Sequence, residues 1–313
     1  MVKVSVNIVT FNSAGDIEDC LDSLVRQSFT DFRIRIFDNA SADKTLDRVR
    51  RFAVAVTTSA VNCGFSKAHN ALIRDCQSEY VLVLNPDTIL RQNFLENLVQ
   101  ALDARSQAGS ASGKLLRMDN TTIDSTGIIM LRSQRHLDRG ADQPDIGQYD
   151  KAEDIFGPSG AAAMYRRRAL EDCSINGEYF DEDFFAYRED ADLAWRLRLF
   201  GWTSTYVPTA VALHRRRVTP ERRSTLPKVI NYHSVKNRFL LRINNMSGAL
   251  YRRDFWRITS RDAAVVGFVL LREWSSVPAL FYVLRHFRRL WRKRKRILAG
   301  VRVSPQELHR WFC

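Results

Sequence analysis

Tyr80-Val81-Leu82-Val83-Leu84-Asn85-Pro86-Asp87 is the stretch on which the architecture turns. An unbroken apolar run without alternation predicts a strand buried on both faces. Asn85-Pro86-Asp87 then stops it, because proline cannot donate to a sheet ladder, and sends the Asp87 side chain past the strand's edge. A carboxylate there can bind a hard divalent cation that neutralises a diphosphate. Taken alone, the tripeptide reads better as a turn that merely ends the strand.

Upstream, strand and helix patterns alternate. Residues 2–10 are β-branched and apolar, and 17–27 have helical spacing through Ile17, Leu21, Leu24 and Val25. Strand patterns at 32–37 and 54–58 flank a helix at 44–52, and a further helix spans 66–76. Such alternation predicts βαβ units and a mainly parallel sheet, with ligands beyond the carboxyl ends of the strands. The polar clusters stand there: Thr10-Phe11-Asn12, Asp38-Asn39-Ala40-Ser41 and Asn85-Pro86-Asp87. Downstream, about 105–155 reads as irregular. Gly157-Pro158-Ser159-Gly160 then precedes an apolar run, a helix spans 187–200 and stops at Gly201, and two short strands at 203–207 and 210–213 lead to His214. This arrangement divides the chain into a catalytic unit at 1–230, with halves at about 1–105 and 106–230, and a helical C-terminal region at 231–313.

The net charge of +13 is concentrated near one end, since 281–300 hold Arg285, Arg288, Arg289, Arg292, Lys293, Arg294, Lys295 and Arg296 and no acid. One basic run beside Trp274, Phe281, Tyr282, Phe287 and Trp291 suits an anionic membrane interface, or else a helical cap with a solvated basic tail. It does not form the stripe across the α/β unit that nucleic-acid binding requires, so no nucleic-acid partner is expected. The apolar stretch 263–284 is interrupted by Arg272, Glu273 and Pro278 and reads as two short helices, not a span. Five cysteines without CxxC spacing argue against a zinc site or disulfide framework, and no signal peptide is evident, so a cytoplasmic location is expected.

The residues that can carry chemistry follow the strand ends. Asp38 can accept hydrogen bonds from a ribose or a base, although Asp, Asn and Ser also favour turns. Gly64-Phe65-Ser66-Lys67-Ala68-His69-Asn70 opens a helix after a glycine and can bring backbone N–H groups to a phosphate or sugar, but it lacks P-loop spacing. Tyr187-Arg188-Glu189-Asp190-Ala191-Asp192 places three carboxylates at a helix start, where the macrodipole favours them. Asp192 and Arg196 can pair four residues apart. The adjoining aromatic run from Tyr179 to Tyr187, with Phe185, can form an acceptor platform, and a positioned carboxylate is a suitable base for a sugar hydroxyl. His214 beside Arg215-Arg216-Arg217 suits a metal and phosphates.

In order, Val9-Thr10-Phe11-Asn12, Phe37 to Asp43, Asn62 to Phe65, Leu84 to Asp87, Phe180 to Leu193 and His214 resemble the family 2 glycosyltransferases, in particular a bacterial branch with rhamnosyltransferases of cell-surface polysaccharide assembly. The resemblance covers residues 1 to about 220. It implies a GT-A fold (Rossmann-like, a mixed, mainly parallel sheet flanked by helices), an inverting reaction and a divalent cation, Mg²⁺ or Mn²⁺. It assigns Asp38 to the nucleoside, Asp87 and His214 to the metal and diphosphate, and Asp190 to the base. Glu189 and Asp192 then orient the loop or bind the acceptor.

Thr10, Asn12, Asn62, Gly64, Lys67, Asn85 and Arg215 complete the expected donor site, and Tyr187, Phe185 and Asp192 the acceptor site. Asn85 replaces the first carboxylate of the usual Asp-x-Asp, and the Gln-x-x-Arg-Trp motif of processive synthases is absent. The expected reaction is therefore transfer of one sugar, rhamnose from dTDP-rhamnose foremost, to a glycan or polyprenyl-diphosphate-linked acceptor at the inner face of the membrane. UDP-galactose, UDP-glucose or UDP-N-acetylhexosamine are the alternative donors. A nucleotidyltransferase, which would release pyrophosphate, and a nucleic-acid-binding protein are the more distant readings.

Overall fold

The computed structural model describes residues 2–216 and 227–313. The parallel half of the sheet is as expected: β1 (Val4–Thr10), α1 (Ile17–Val25), β2 (Phe32–Asp38), α2 (Thr45–Val49), β3 (Ala55–Thr58), α3 (Phe65–Arg74) and β4 (Tyr80–Leu84). β1 lies between β2 and β4, parallel to both. Each residue of β4 is buried, as its continuous apolar run requires.

The chain continues through β5 (Thr88–Leu90), α4 (Phe94–Asp103), β6 (Ala108–Leu116), β7 (Ile123–Ser125), β8 (Ile128–Met130), β9 (His136–Asp138), β10 (Glu153–Asp154), β11 (Ala162–Arg166) and α5 (Arg167–Asp172). After α6 (Glu189–Leu199) comes β12 (Thr203–His214). The main sheet runs β10-β12-β6-β11-β4-β1-β2-β3, with β11 antiparallel to both its neighbours, so it is mixed and mainly parallel.

Two expectations are corrected here. The irregular stretch contains β6, a fully buried strand inside the sheet. Its Ala-Gly-Ser-Ala-Ser-Gly composition hides it, because small residues have weak strand propensity. The packing demands them: a Cβ on Gly113 would lie 2.2 Å from the Ala210 carbonyl oxygen and 2.6 Å from the Phe94 ring. The two short strands before His214 are a single strand, β12, whose pairing with β6 shifts between Val207 and Val211.

Apolar residues fill both faces of the sheet. Val4, Val6 and Ile8 meet α1 and α4 on one side, while Val81, Val83 and Tyr165 pack against Leu170 of α5 and Leu193 of α6 on the other. The remaining helices are α7 (Lys228–Asn245), α8 (Gly248–Arg253), α9 (Phe255–Arg272), α10 (Val277–Arg285), α11 (Phe287–Ala299) and α12 (Pro305–His309). Leu240 and Leu241 of α7 and Leu290 and Ile297 of α11 share one apolar cluster with Trp195 of α6. The C-terminal helices are thus packed directly on the helix that carries the acidic motif.

Candidate active site

The first wall of the site is made by strand ends. Thr10 and Asp38 close β1 and β2 in register. The Thr10 hydroxyl donates to Asp38 Oδ1 at 2.8 Å, and the Ser41 N–H donates to Oδ2 at 3.0 Å. Thr10 is fully buried, so it positions Asp38 and does not itself line a ligand surface. Asn12, exposed at a left-handed φ of 50°, accepts from the Ala42 N–H and ties the two loops together. Asn39, which sequence reasoning left as a turn residue, donates to Asn62 Oδ1 at 2.9 Å and accepts from the Cys63 N–H. Asn62 Oδ1 also accepts from Gly64 N–H. Gly64 is buried at φ 86°, and a Cβ there would meet Phe185 at 2.6 Å. Its glycine allows the close approach of the acidic-motif loop. Lys67 is exposed on the first turn of α3.

At the second wall, β5 pairs antiparallel with β12, and the register Thr88–His214 brings His214 beside Asp87. Asp87 Oδ1 is 3.4 Å from His214 Nε2. On the other side of the ring, Nδ1 donates to Asp124 Oδ2 at 2.7 Å. Burial opposes protonation of His214, but the bonds to Asp124 and Asp87 outweigh it and push its pKa up to about 9. Asp124 is wholly buried and also receives Arg117 and Arg216. Sequence reasoning missed it, since a lone Asp in a three-residue strand carries no local signal. It fixes the tautomer that leaves Nε2 for a cation, an arrangement common around metal-ligating histidines.

The donors present fit a cation completed by substrate. Two ligands about 2.1 Å from an octahedral ion, at right angles, stand roughly 3 Å apart, close to the separation of Asp87 Oδ1 and His214 Nε2. Among the described residues no third His, Cys, Asp or Glu joins them. Water and phosphate oxygens would have to supply the other positions, which is the usual habit of Mg²⁺. Arg215 bonds Asp16 at 2.6 Å and donates its backbone N–H to the Asp87 carbonyl. Arg217, expected to assist it, lies outside the described residues.

The third wall carries the acidic motif. Asp190 Oδ2 accepts from Gly160 N–H at 3.0 Å. The next residue, Ala161, receives the Asn85 N–H on its carbonyl at 2.9 Å. The entry to β11 therefore joins the Asn85-Pro86-Asp87 turn to Asp190. Glu189 is buried with Oε2 unpartnered among the described residues. Burial, reinforced by the charge of Asp190, pushes its pKa up to about 8. Burial also raises Asp190, against the opposing pull of the Gly160 N–H. The pair shares its ionisation, and the hydrogen bonds favour the charge on Asp190.

A family model described as "Glycosyl transferase family 2" matches residues 5–174, more than half of the chain. The chain belongs to glycosyl transferase family 2. It is 27% identical over 237 residues to the N-acetylglucosaminyl-diphospho-decaprenol L-rhamnosyltransferase of Mycobacterium tuberculosis, covering 66% of this chain and 74% of that one. S. aureus TarS 1-349, crystallised with UDP-GlcNAc, superposes with a TM-score of 0.58 at 16% identity, covering 99% of this chain and 84% of that chain. GalNAc-T7, crystallised with UDP, GalNAc and Mn²⁺, gives 0.60 at 12% identity over 78% of this chain, which spans about half (49%) of that protein. These structural neighbours share the GT-A architecture expected from the sequence.

In this family 2 glycosyltransferase the residues expected on the acceptor side behave unequally. Phe185, at φ 66°, stacks on His233 with ring centroids 4.7 Å apart. Tyr187 and Arg188 also adopt left-handed φ of 72°, and such residues cost on the order of 1–3 kcal/mol each. The Asn237 amide of α7 meets the carbonyls of Phe184, Ala186 and Tyr187 at 2.7 to 2.9 Å and holds this turn. Asp192 is corrected: it is fully buried, bonded to Arg196, Asn244 and Asn245, and belongs to the packing of α6 on α7. The pairing of Asp192 with Arg196 is observed at 2.9 Å.

The basic run is likewise more than a tail. Lys293 is buried between Asp181 and Asp183, and Arg289 pairs with Asp183 at 2.7 Å. Only its outer face, including Arg285, Arg288, Arg292 and Lys295, is left to solvent.

Proposed function

We propose that the chain transfers one sugar from a nucleotide-sugar donor, dTDP-L-rhamnose foremost, to a polyprenyl-diphosphate-linked glycan, with inversion at the anomeric carbon. The observation that carries this reading is the bridge through Gly160 and Ala161, which sets the Asp190 carboxylate against the Asn85-Pro86-Asp87 turn. Asp190 takes the proton of the acceptor hydroxyl as its oxygen bonds the anomeric carbon, while the bond from that carbon to the diphosphate oxygen breaks. Asp38 is the group that receives the nucleoside. Asp87 and His214 would hold a divalent cation, which neutralises charge on the departing diphosphate. The rhamnosyl donor and lipid-linked acceptor are supported by the M. tuberculosis relative's name. A UDP-sugar donor is the second reading, supported by the TarS complex with UDP-GlcNAc.

The reaction is proposed to occur at the cytoplasmic face of an anionic membrane. No single helix among the described residues is long and apolar enough to cross one; α9 and α10 form a bent pair at 116°. Trp256 and Leu271 of α9, Phe281 and Leu284 of α10, and Trp274 between the two helices are all exposed. An apolar belt bordered by arginines suits the headgroup boundary.

Incubation with a panel of dTDP- and UDP-sugars and lipid extract tests the reaction. The expected products are a nucleoside diphosphate and a glycolipid of inverted anomeric configuration. Pyrophosphate release, or a retained configuration, would sink the reading.

A further inference from the structure

A second charged cluster lies beside the acidic motif, and it reaches the His214 side of the site only through Arg216, which also bonds Asp124. Arg188, the residue preceding α6, donates to His136 Nδ1 at 3.0 Å. His136 and Asp138 project from the same face of the three-residue strand β9, and Asp138 pairs with Arg216. On the helical side, Asp262 of α9 receives Arg238 at 3.4 Å and also Arg242, both buried on α7. Arg135 and Arg261 stand in the same neighbourhood, with no carboxylate partner among the described residues. Arg261 Nε and Arg242 Nε are buried without an acceptor among those residues. The convergence is strong enough that burial and the charges of Arg188, Arg135, Arg216 and Arg238 hold the His136 imidazole well below its usual pKa.

Arg135 and Arg261 repel each other, and the Nε–H groups of Arg242 and Arg261 lack an acceptor among the described residues, a combination that favours an anion. The donor's diphosphate is already provided for by Asp87, His214 and Arg215 in the proposed reaction. From Arg261, α9 runs outward to Phe268, Leu270 and Leu271, which are exposed. A bound anion here would therefore have an apolar surface leading away from it.

We propose that Arg135, Arg188, Arg238 and Arg261 form the seat of an isoprenoid diphosphate, with the hydrocarbon chain leaving along the outer face of α9. This rests on the reading that the acceptor is lipid-linked, and it assigns the acceptor's diphosphate to residues distinct from those holding the donor's.

The test is calorimetric binding of farnesyl diphosphate, farnesol and dTDP or UDP to the full chain, wild type and R135Q/R261Q. The wild type binds farnesyl diphosphate at least tenfold more tightly than farnesol. The double variant loses at least tenfold for farnesyl diphosphate and keeps nucleotide affinity within threefold, while R135K/R261K retains most of the binding. Equal loss of nucleotide affinity, or no loss of either, overturns the site. So does an R135Q/R261Q variant that fails to float on phosphatidylglycerol vesicles yet binds farnesyl diphosphate normally, since the arginines then serve lipid headgroups. If the double variant does not fold, R135Q and R261Q singly must each weaken farnesyl diphosphate at least threefold. Because these measurements read binding, failure of sugar transfer with every donor refutes the proposed activity and leaves this site to stand or fall separately.

Discussion

The side-chain nitrogen of Asn237 lies 2.7 Å from the carbonyl oxygen of Tyr187. That contact joins a helix of the C-terminal region to a turn whose left-handed residues would not hold their shape alone. Asp190 follows three residues later, so the direction of its carboxylate depends on α7. The C-terminal helices are therefore part of the acidic motif's scaffold.

Asn237→Ala removes the amide from three carbonyls. Each lost hydrogen bond costs on the order of 1 kcal/mol, less where water replaces it. Stability should fall by about 1–3 kcal/mol in urea titration, and kcat by at least about tenfold, with donor KM changed less than threefold. An unchanged kcat would show that the turn holds without the clamp.

Asp190→Asn should lower kcat by about 10²–10⁴-fold with both substrates saturating. Glu189→Gln tests the shared ionisation. Burial beside Asp190 raises Glu189 to about 8 in the folded state, from about 4.5 for a free glutamate, so the folded chain binds the extra proton. Its contribution to stability is then lost as pH rises from about 4.5 to 8. Glu189→Gln should accordingly gain stability relative to the wild type across that interval, measured as urea midpoints at pH 5 and 8. It should also move the acidic limb of kcat/KM to lower pH, since Asp190 no longer ionises beside a second carboxyl. A limb that stays in place would remove Glu189 from the pair.

Asp124→Asn keeps the size of the group that receives His214 Nδ1 but removes its charge. Loss of such a partner typically weakens metal affinity by about 10–100-fold. Titrating Mn²⁺ into chelator-stripped enzyme should show that shift, with turnover at saturating Mn²⁺ less affected. Full activity of the wild type in excess EDTA would refute the cation at Asp87 and His214.

Leu271→Glu with Trp274→Glu should abolish flotation on anionic liposomes without loss of thermal stability, because both side chains are mostly exposed. Removing an exposed apolar side chain costs the fold little, whereas charges in the headgroup boundary oppose insertion. Flotation equal to wild type would place the membrane contact elsewhere, or nowhere.

Local chemistry was sufficient to read much of this chain. The apolar run of β4, the alternation around it and the turn residues after β1, β2 and β4 specify a parallel half-sheet with polar loops at one edge. These are short-range signals, set by side-chain periodicity and by what proline, glycine and Asx residues do to a backbone. Asp38, Asp87, Glu189, Asp190 and His214 were legible for the same reason, since each sits at the end of a regular element. By contrast, β6 was hidden because its small residues answer to Phe94 and Ala210, not to strand propensity.

The tertiary structure alone decided which of these groups meet. The β5–β12 register brings His214 to Asp87, and the buried Asp124 completes that contact from a strand 90 residues earlier. Asp192 looked like its neighbours in sequence, but each position along a helix turns a side chain by about 100°, so the two positions from Asp190 to Asp192 turn it by about 200°. That rotation puts Asp192 in the core while Asp190 faces Gly160. The basic run, uniform in sequence, is divided by the same periodicity. Lys293 is drawn inward to Asp181 and Asp183, and the arginines on the opposite face remain in solvent. Helical and strand periods are written locally. Which face finds a partner depends on contacts between residues far apart in the chain, and only the folded protein brings those together.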